Sequence, residues 1–194
     1  MVTHPYGHEF GDTGFATPQG DEPGGYANLL KAIRGGIMGG NEYRVQNKPR
    51  FRVVADAAQS INNAAYPPAT SITWTSAPVD TDSLWNSSLA TRVTIKTPGV
   101  YQVNYQVEWA AAAGTNRQAW VQLNLVNGFR YAHSFIPAPA ALAHVNWGST
   151  PMSLNAQDTL ELVVYQDSGA ALALSPQAGL YYGAEMSGTL ISTL

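Results

Sequence analysis

The chain has 194 residues and no cysteine, which excludes disulfides, thiolate metal ligands and cysteine nucleophiles. Charged residues are 12% of the chain, about half the usual share, and the net charge of −3 gives no electrostatic case for binding nucleic acid. Neutral polar side chains must therefore cover much of the surface, which suits subunit packing because amides cost less to bury than charges.

Membrane and export signals are missing from the sequence. No apolar run approaches the roughly 20 residues that span a bilayer. The first 20 residues lack the basic and then apolar pattern of a signal peptide. We therefore expect a protein made in a cytosol, with no membrane insertion.

The first 45 residues differ from the remainder. Ten of the 18 glycines lie between Gly7 and Gly40, and such a segment has too few apolar side chains to fold alone. We predict an anchoring arm over residues 1–45 and a folded domain over residues 46–194, with a disordered tail as the alternative for the arm. Helical spacing within the arm predicts one short amphipathic helix that needs a partner surface, through Tyr26, Leu29, Leu30 and Ile33.

From Phe51 onward the pattern becomes that of strands. Residues 51–55 predict a first strand, and residues 71–74 predict a short second one. Residues 77–88 are expected to form a polar loop that holds Asp80, Asp82 and Trp85.

The stretch from Thr91 to Trp109 predicts an antiparallel pair around which the domain is built. Val93 and Ile95 alternate with polar residues before Pro98-Gly99, and a longer alternating run follows. Pro and Gly suit the two central positions of a type II turn, which predicts a hairpin with Gly99 at positive φ. The apolar members of the later run are Tyr101, Val103, Tyr105, Val107 and Trp109.

Asn127-Gly128 predicts a second hairpin. A three-residue loop over residues 126–128, with Gly128 in the left-handed conformation, sets Leu125 opposite Phe129 and Leu123 opposite Tyr131. That register keeps the apolar residues of both strands on one face. The second strand would then bury its odd-numbered residues Phe129, Tyr131, His133 and Phe135.

Further strands are predicted over residues 145–154, with a break at Gly148, and over residues 160–165, 172–174 and 181–191. Many short strands about ten residues apart, with turn residues between them, are typical of an all-β sandwich or jelly roll.

Four landmarks, in order, resemble the C1q/tumour-necrosis-factor-like jelly roll. They are Thr97-Pro-Gly-Val-Tyr101, Asn127-Gly128, the run from Leu154 to Leu162, and Met186-Ser-Gly-Thr-Leu190. The chain departs from that family's pattern at Gln157, where the turn has glycine, and at Met186, where the last strand has phenylalanine. The resemblance covers roughly residues 51–194. It implies an antiparallel all-β jelly-roll sandwich, preceded here by an extended, Gly-rich arm.

The resemblance also implies a tight homotrimer with a binding or structural role rather than an enzymatic one. The start at Gln59-Ser60-Ile61 and the run from Leu162 to Gly169 look most like the versions in phage virion proteins. We therefore expect a virion protein, assembled in the host cytoplasm, whose arm holds it to another virion protein. A minor tail, tail-tip or fibre protein is the leading assignment. A capsid decoration or head-fibre protein and a secreted carbohydrate-binding module are the alternatives.

Sites for chemistry are sparse, and we expect no catalytic residue, cofactor or metal. His4 and His8 are four residues apart, but Pro5 and Gly7 interrupt the helix that a metal site would need. His133 and His144 fit structural roles. The resemblance leaves open a calcium site that uses Asp80 and Asp82, as in some relatives, although the dense oxygen-ligand loop of such a site is missing.

Aromatic residues on strands could form a patch that stacks on a glycan of the host cell surface, although core or trimer-axis packing is commoner. The two candidates for a binding surface are Trp85 and Trp120.

Overall fold

The computed structural model describes residues 48–63, 70–114, 116–125, 129–137, 142–174 and 183–193, all within one compact unit, Lys48–Leu194. Among these residues no helix is long and apolar enough to cross a membrane. The described strands are β1 Arg50–Ala55, β2 Ser60–Ile61, β3 Thr70–Ser71, β4 Ser76–Asp80, β5 Arg92–Thr94, β6 Gly99–Trp109, β7 Asn116–Leu123, β8 Tyr131–Pro137, β9 His144–Leu154, β10 Thr159–Gln166, β11 Leu172–Ala173 and β12 Ala184–Ser192.

These strands form an antiparallel sandwich. The first sheet has the order β4-β1-β12-β6-β9, and the second has the order β3-β10-β7-β8 with β5 also paired to β10. A short ladder joins β2 to β11. The predicted all-β jelly-roll class is confirmed by this architecture. The predicted arm, with Tyr26, Leu29, Leu30 and Ile33, lies outside the described residues.

Strand β6 lies between β12 and β9 in the first sheet, and it follows the predicted alternation. Its odd-numbered residues from Tyr101 to Trp109 are buried in the cluster between the sheets, while Asn104 and Gln106 face outward. Burial of that row against Val121, Leu160 and Leu162 of the second sheet makes a single apolar core.

The predicted hairpin around Pro98-Gly99 is wrong, because β5 and β6 belong to different sheets. Val93 of β5 pairs with Leu160 of β10. The Ile95 amide donates to Asp158 O (2.8 Å), and its carbonyl accepts from Gln157 N (2.7 Å). The chain therefore stays bonded to the second sheet until Ile95 and then crosses to the first.

Gly99 is needed at this crossing mainly for space. It opens β6 with the predicted positive φ, but the value of 158° is far from the roughly 80° that a type II turn requires. A Cβ at Gly99 would overlap Leu190 Cδ1 and lie 2.5 Å from Ser192 O. The glycine thus permits close approach of β6 to the end of β12.

The second predicted hairpin register is also wrong. Strand β7 ends at Leu123, and Val121 rather than Leu123 is paired with Tyr131. The Asn124 amide donates to Thr159 O (2.9 Å), and its side chain accepts from Thr159 N (2.7 Å). The chain after β7 is therefore bonded to the start of β10 and does not continue the hairpin with β8. Gly128 lies outside the described residues.

The loop expected over residues 77–88 contains the edge strand β4, whose Val79 pairs with Arg52 of β1. Pro78 and Asp80 disfavour a strand in the sequence, but an edge strand tolerates proline because one side of its backbone makes no ladder. A 3₁₀ turn over Ser87–Leu89 follows, capped by the side chain of Asn86.

Candidate functional site

A β-bulge in β8 reverses which of its side chains face outward. The result is an exposed surface on the second sheet. Between the pairs Val121–Tyr131 and Ala119–Ser134, β7 contributes one residue and β8 contributes two, Ala132 and His133. Ala132 has a φ of 51°, in the left-handed region where bulges usually have glycine. The extra residue shifts the alternation of every later position in β8.

The shift overturns the predicted face of β8. Tyr131, before the bulge, packs against the core as predicted. After the bulge, Ser134 and Ile136 are the partly buried residues, while His133 and Phe135 are exposed. Phe129, also expected inside, is 68% exposed in the loop before the strand.

Trp120 lies opposite this bulge, on the outer face of the second sheet. Its neighbours Ala119 and Val121 belong to the core cluster between the sheets, whereas Trp120 does not, although it is only 5% exposed. Its cross-strand partner on β10 is Val163. The side chains of the outer face must therefore cover the indole.

Those covering groups form a compact cluster. The Arg130 guanidinium carbon lies 4.3 Å from the centre of the Trp120 ring, a cation–π arrangement. The His133 ring meets Trp120 edge-on, with centroids 5.8 Å apart. Gln118 Oε1 accepts from Arg130 Nη1 at 3.1 Å and also lies 3.1 Å from His133 Nε2. We call Gln118, Trp120, Arg130 and His133 the Trp120 cluster.

The cluster carries two basic side chains in contact. Arg130 Nη1 lies 3.4 Å from His133 Nε2. Partial burial, followed by the nearby Arg130 charge, lowers the pKa of His133 below its ordinary value. The imidazole is thus held neutral more readily than a free histidine, with Nε2 able to donate to Gln118.

Residues of the first sheet brace the bulge from below. The Tyr105 hydroxyl lies 2.6 Å from Ala132 O and 2.8 Å from Ala119 O, so its single proton is shared between carbonyls of both strands where they separate. Burial raises the pKa of Tyr105. The break predicted at Gly148 is absent, since β9 runs through it. Instead, a Cβ there would lie 2.5 Å from Ala132 O and from the Tyr105 ring.

A second exposed surface lies on the outer face of the first sheet, along β9. Asn146 points inward, where it accepts from Trp109 Nε1 (2.7 Å) and bonds to Ser134. Its neighbours Val145 and Trp147 consequently face outward, 40% and 70% exposed. Trp147 was not predicted to be exposed, because the assumed break at Gly148 interrupted the alternation that indicates its face.

Neutral amides continue this surface across β6. Gln106 lies opposite Trp147 in the register. Gln102 Nε2 donates to Ser149 Oγ (2.8 Å), which in turn donates to Asn104 Oδ1 (2.7 Å). We call Val145, Trp147 and these amides, Gln102, Asn104 and Gln106, the Trp147 face.

The other residues that the sequence marked for function have structural contacts. Trp85 is half-buried against the core, with its Nε1 3.4 Å from Ala90 O. Asp80 accepts from the amides of Leu84 (2.7 Å) and Trp85 (3.0 Å), which orders the turn between them. Asp82 accepts from Thr97 Oγ1 at 3.0 Å.

Buried charges elsewhere in the described unit also have structural partners. Arg117 is fully buried and donates to the carbonyls of Ala112 (3.1 Å) and Asn116 (2.9 Å). Glu161 accepts from Ser71 Oγ (2.6 Å) and Thr91 Oγ1 (3.2 Å). Among the described ranges, no three His, Asp or Glu side chains converge into a group that could hold a metal ion.

No family model and no curated protein matches the sequence. Solved structures do match. The globular domain of zebrafish complement 1qA protein aligns at a TM-score of 0.55 and 15% identity, over 76% of this chain and 100% of that one. Murine APRIL aligns at a TM-score of 0.56 and 13% identity, over 74% and 99%.

The Eiger TNF of S. frugiperda aligns at a TM-score of 0.56 and 11% identity, over 76% of this chain and 95% of its own. At these identities the likeness concerns the fold. The chain therefore has a C1q/TNF-like jelly roll, as the sequence landmarks implied.

Proposed function

We propose that this protein is a non-enzymatic structural module of a phage virion, and that it assembles as a homotrimer through the Trp147 face. The observation that carries the proposal is the exposure of Trp147 beside Val145 on a sheet face built of neutral amides. An exposed tryptophan in a chain with so few charged residues is a good candidate for an interface centre.

The chemistry of the Trp147 face suits a second copy of the chain. Interface cores are depleted in charged residues and enriched in tryptophan. The amides of Gln102 and Asn104 can bond across an interface at a lower desolvation cost than carboxylates or ammonium groups. The ion pair on this sheet between Arg52 and Glu185, at 2.7 Å, already neutralises its own charges.

The virion assignment rests on the resemblance of residues 59–61 and 162–169 to phage proteins. The glycine-rich arm supports it, because such a segment can gain its order from a neighbouring protein. A tail-tip or fibre protein remains the leading location, and a capsid decoration protein is the alternative. Electron cryomicroscopy of the particle, with density assigned to this chain, distinguishes the two.

Light scattering of the full chain tests the trimer. The wild type should have three times the 20.7 kDa chain mass. Trp147→Asp should dissociate it, because it places a charge at the proposed interface centre. Leu89→Asp is the matched control, since Leu89 is also exposed but lies in the 3₁₀ turn. A monomeric wild type, or a trimeric Trp147→Asp variant, would contradict the proposal.

A further inference from the structure

We propose that the Trp120 cluster, with the exposed ring of Phe135, binds a carboxylate-bearing sugar. The site lies on the outer face of the second sheet, whereas the Trp147 face belongs to the first. It is therefore a separate surface, and the proposal of sugar binding does not depend on trimerisation.

The backbone at this site is specialised. Ala132 holds a left-handed conformation that a non-glycine residue rarely adopts, and such conformations concentrate at binding sites. Bulges likewise re-aim side chains beside functional sites. Here the bulge turns His133 and Phe135 outward, and without it both would face the core.

The backbone distortion is also fixed in place. Tyr105 bonds to the carbonyls on both sides of the bulge, and Gly148 leaves room for that contact. The outer side chains consequently stand on a rigid base. Preorganised groups bind more tightly because less conformational freedom is lost when the ligand arrives.

The basic groups give the site its preference for an anion. Arg130 presents a planar guanidinium that suits a carboxylate, and stacking on Trp120 limits its motion. His133 lies 3.4 Å from Arg130, and in its protonated form it has a second N–H to donate to the same ligand. A carboxylate also offsets the repulsion that these two side chains experience when His133 is protonated.

The exposed ring of Phe135 favours a sugar rather than a free inorganic anion. Phe135 is 52% exposed and lies directly opposite Gln118 in the register. An aromatic face can pack on the C–H groups of a sugar ring, while the Gln118 amide can bond to hydroxyls. Trp120 itself is too deeply covered to stack on the sugar, and it supports Arg130 instead.

Titration of the full chain with 3′-sialyllactose and with trigalacturonic acid, followed by NMR, tests this proposal. Lactose is the neutral control for the first probe. We expect saturable binding of at least one carboxylated probe and none of lactose. Arg130→Gln should weaken binding about tenfold or more, since it removes a charge-assisted hydrogen bond.

Arg50→Gln is the matched control, because it removes the same charge from an exposed position on β1 and should leave affinity unchanged. Phe135→Ala, at an exposed position, should weaken binding without unfolding the domain. No binding of either carboxylated probe at millimolar concentration would overturn the proposal. Equal binding of lactose, or equal losses in the Arg130→Gln and Arg50→Gln variants, would also overturn it.

Light scattering on the same samples separates this result from the trimer proposal. The variants at Arg130 and Phe135 should keep the mass of the wild type. Loss of sugar binding at unchanged mass would support the site, whatever that mass is.

Discussion

At the scale of the residue, buried hydroxyls connect parts of the backbone that the sequence does not place together. Tyr101 donates to Thr97 O at 2.8 Å, where the chain crosses between the sheets. Tyr105 bonds to the carbonyls at the bulge. Both rings were predicted to be core residues from the alternation of β6, but nothing in that alternation indicates what a hydroxyl will bond to.

The raised pKa values of these two tyrosines predict that the folded state loses stability in alkali. Burial, with a smaller contribution from Asp82, raises the pKa of Tyr101 from 10.0 to about 12. Burial raises the pKa of Tyr105 as well. An unfolded tyrosine releases its proton near pH 10, whereas Tyr101 keeps it until about pH 12, so the free energy of unfolding should fall across that interval.

Urea denaturation at a series of alkaline pH values measures this effect, and tyrosinate absorbance reports the ionisation directly. Tyr101→Phe should flatten the decline, because it removes one of the two titrating groups. A decline of the same steepness in Tyr101→Phe would show that other groups cause it.

At the scale of the element, β8 shows where prediction from sequence succeeds and where it ends. The alternation of Tyr131 with its neighbours correctly indicates a strand. A single extra residue at Ala132 then inverts the pattern, and alanine gives no hint of a left-handed conformation. Long regular strands such as β6 are predictable, because the alternation repeats often enough to fix one face.

Pairing between strands was less predictable than their existence. The Pro98-Gly99 dipeptide indicates a change of direction but not which sheet receives the chain. The actual partners of β5 and β6 depend on bonds to residues far along the sequence, such as Asp158.

Of the two surface candidates, Trp120 lies in a candidate site, whereas Trp85 packs against the core. In the site that we propose, Phe135 rather than Trp120 stacks on the sugar, because Trp120 is only 5% exposed.

A pair of substitutions tests the inverted face of β8. Phe135→Ser should change the free energy of unfolding by no more than about 0.5 kcal/mol, as expected for an exposed position. Ile136→Ser should cost about 1–3 kcal/mol, because Ile136 is partly buried and serine places a hydroxyl there. Chemical denaturation measures both, and a larger loss for Phe135→Ser would restore the face predicted from the sequence.

At the scale of the whole molecule, the proposed division of labour places attachment to the particle in the arm, and folding and trimerisation in the jelly roll. The predicted arm helix is too short to be stable alone in water. Its apolar side chains could each contribute roughly 1.5–3 kcal/mol if a neighbouring protein buried them fully. The core of the described unit is formed by residues from Phe51 onward.

Deletion of residues 1–45 should therefore leave a folded protein of unchanged oligomeric state that no longer joins the particle. Leu30→Asp should weaken incorporation without lowering the melting temperature of the isolated protein. Quantitative blotting of purified particles, with calorimetry of the free protein, measures both. Incorporation of the truncated protein at wild-type occupancy would place the attachment in the jelly roll instead.

The brace formed by Tyr105 and Gly148 has a consequence for how this protein can diversify. The shape of the bulge is imposed from the first sheet, whereas the groups that face outward belong to the second sheet and the loop before β8. Substitutions at the outward-facing positions can therefore change the chemistry of this surface while the scaffold beneath keeps its form. These positions are Gln118, Arg130, His133 and Phe135. Under the proposed binding role, a new ligand preference would arise by single substitutions that leave the fold unchanged.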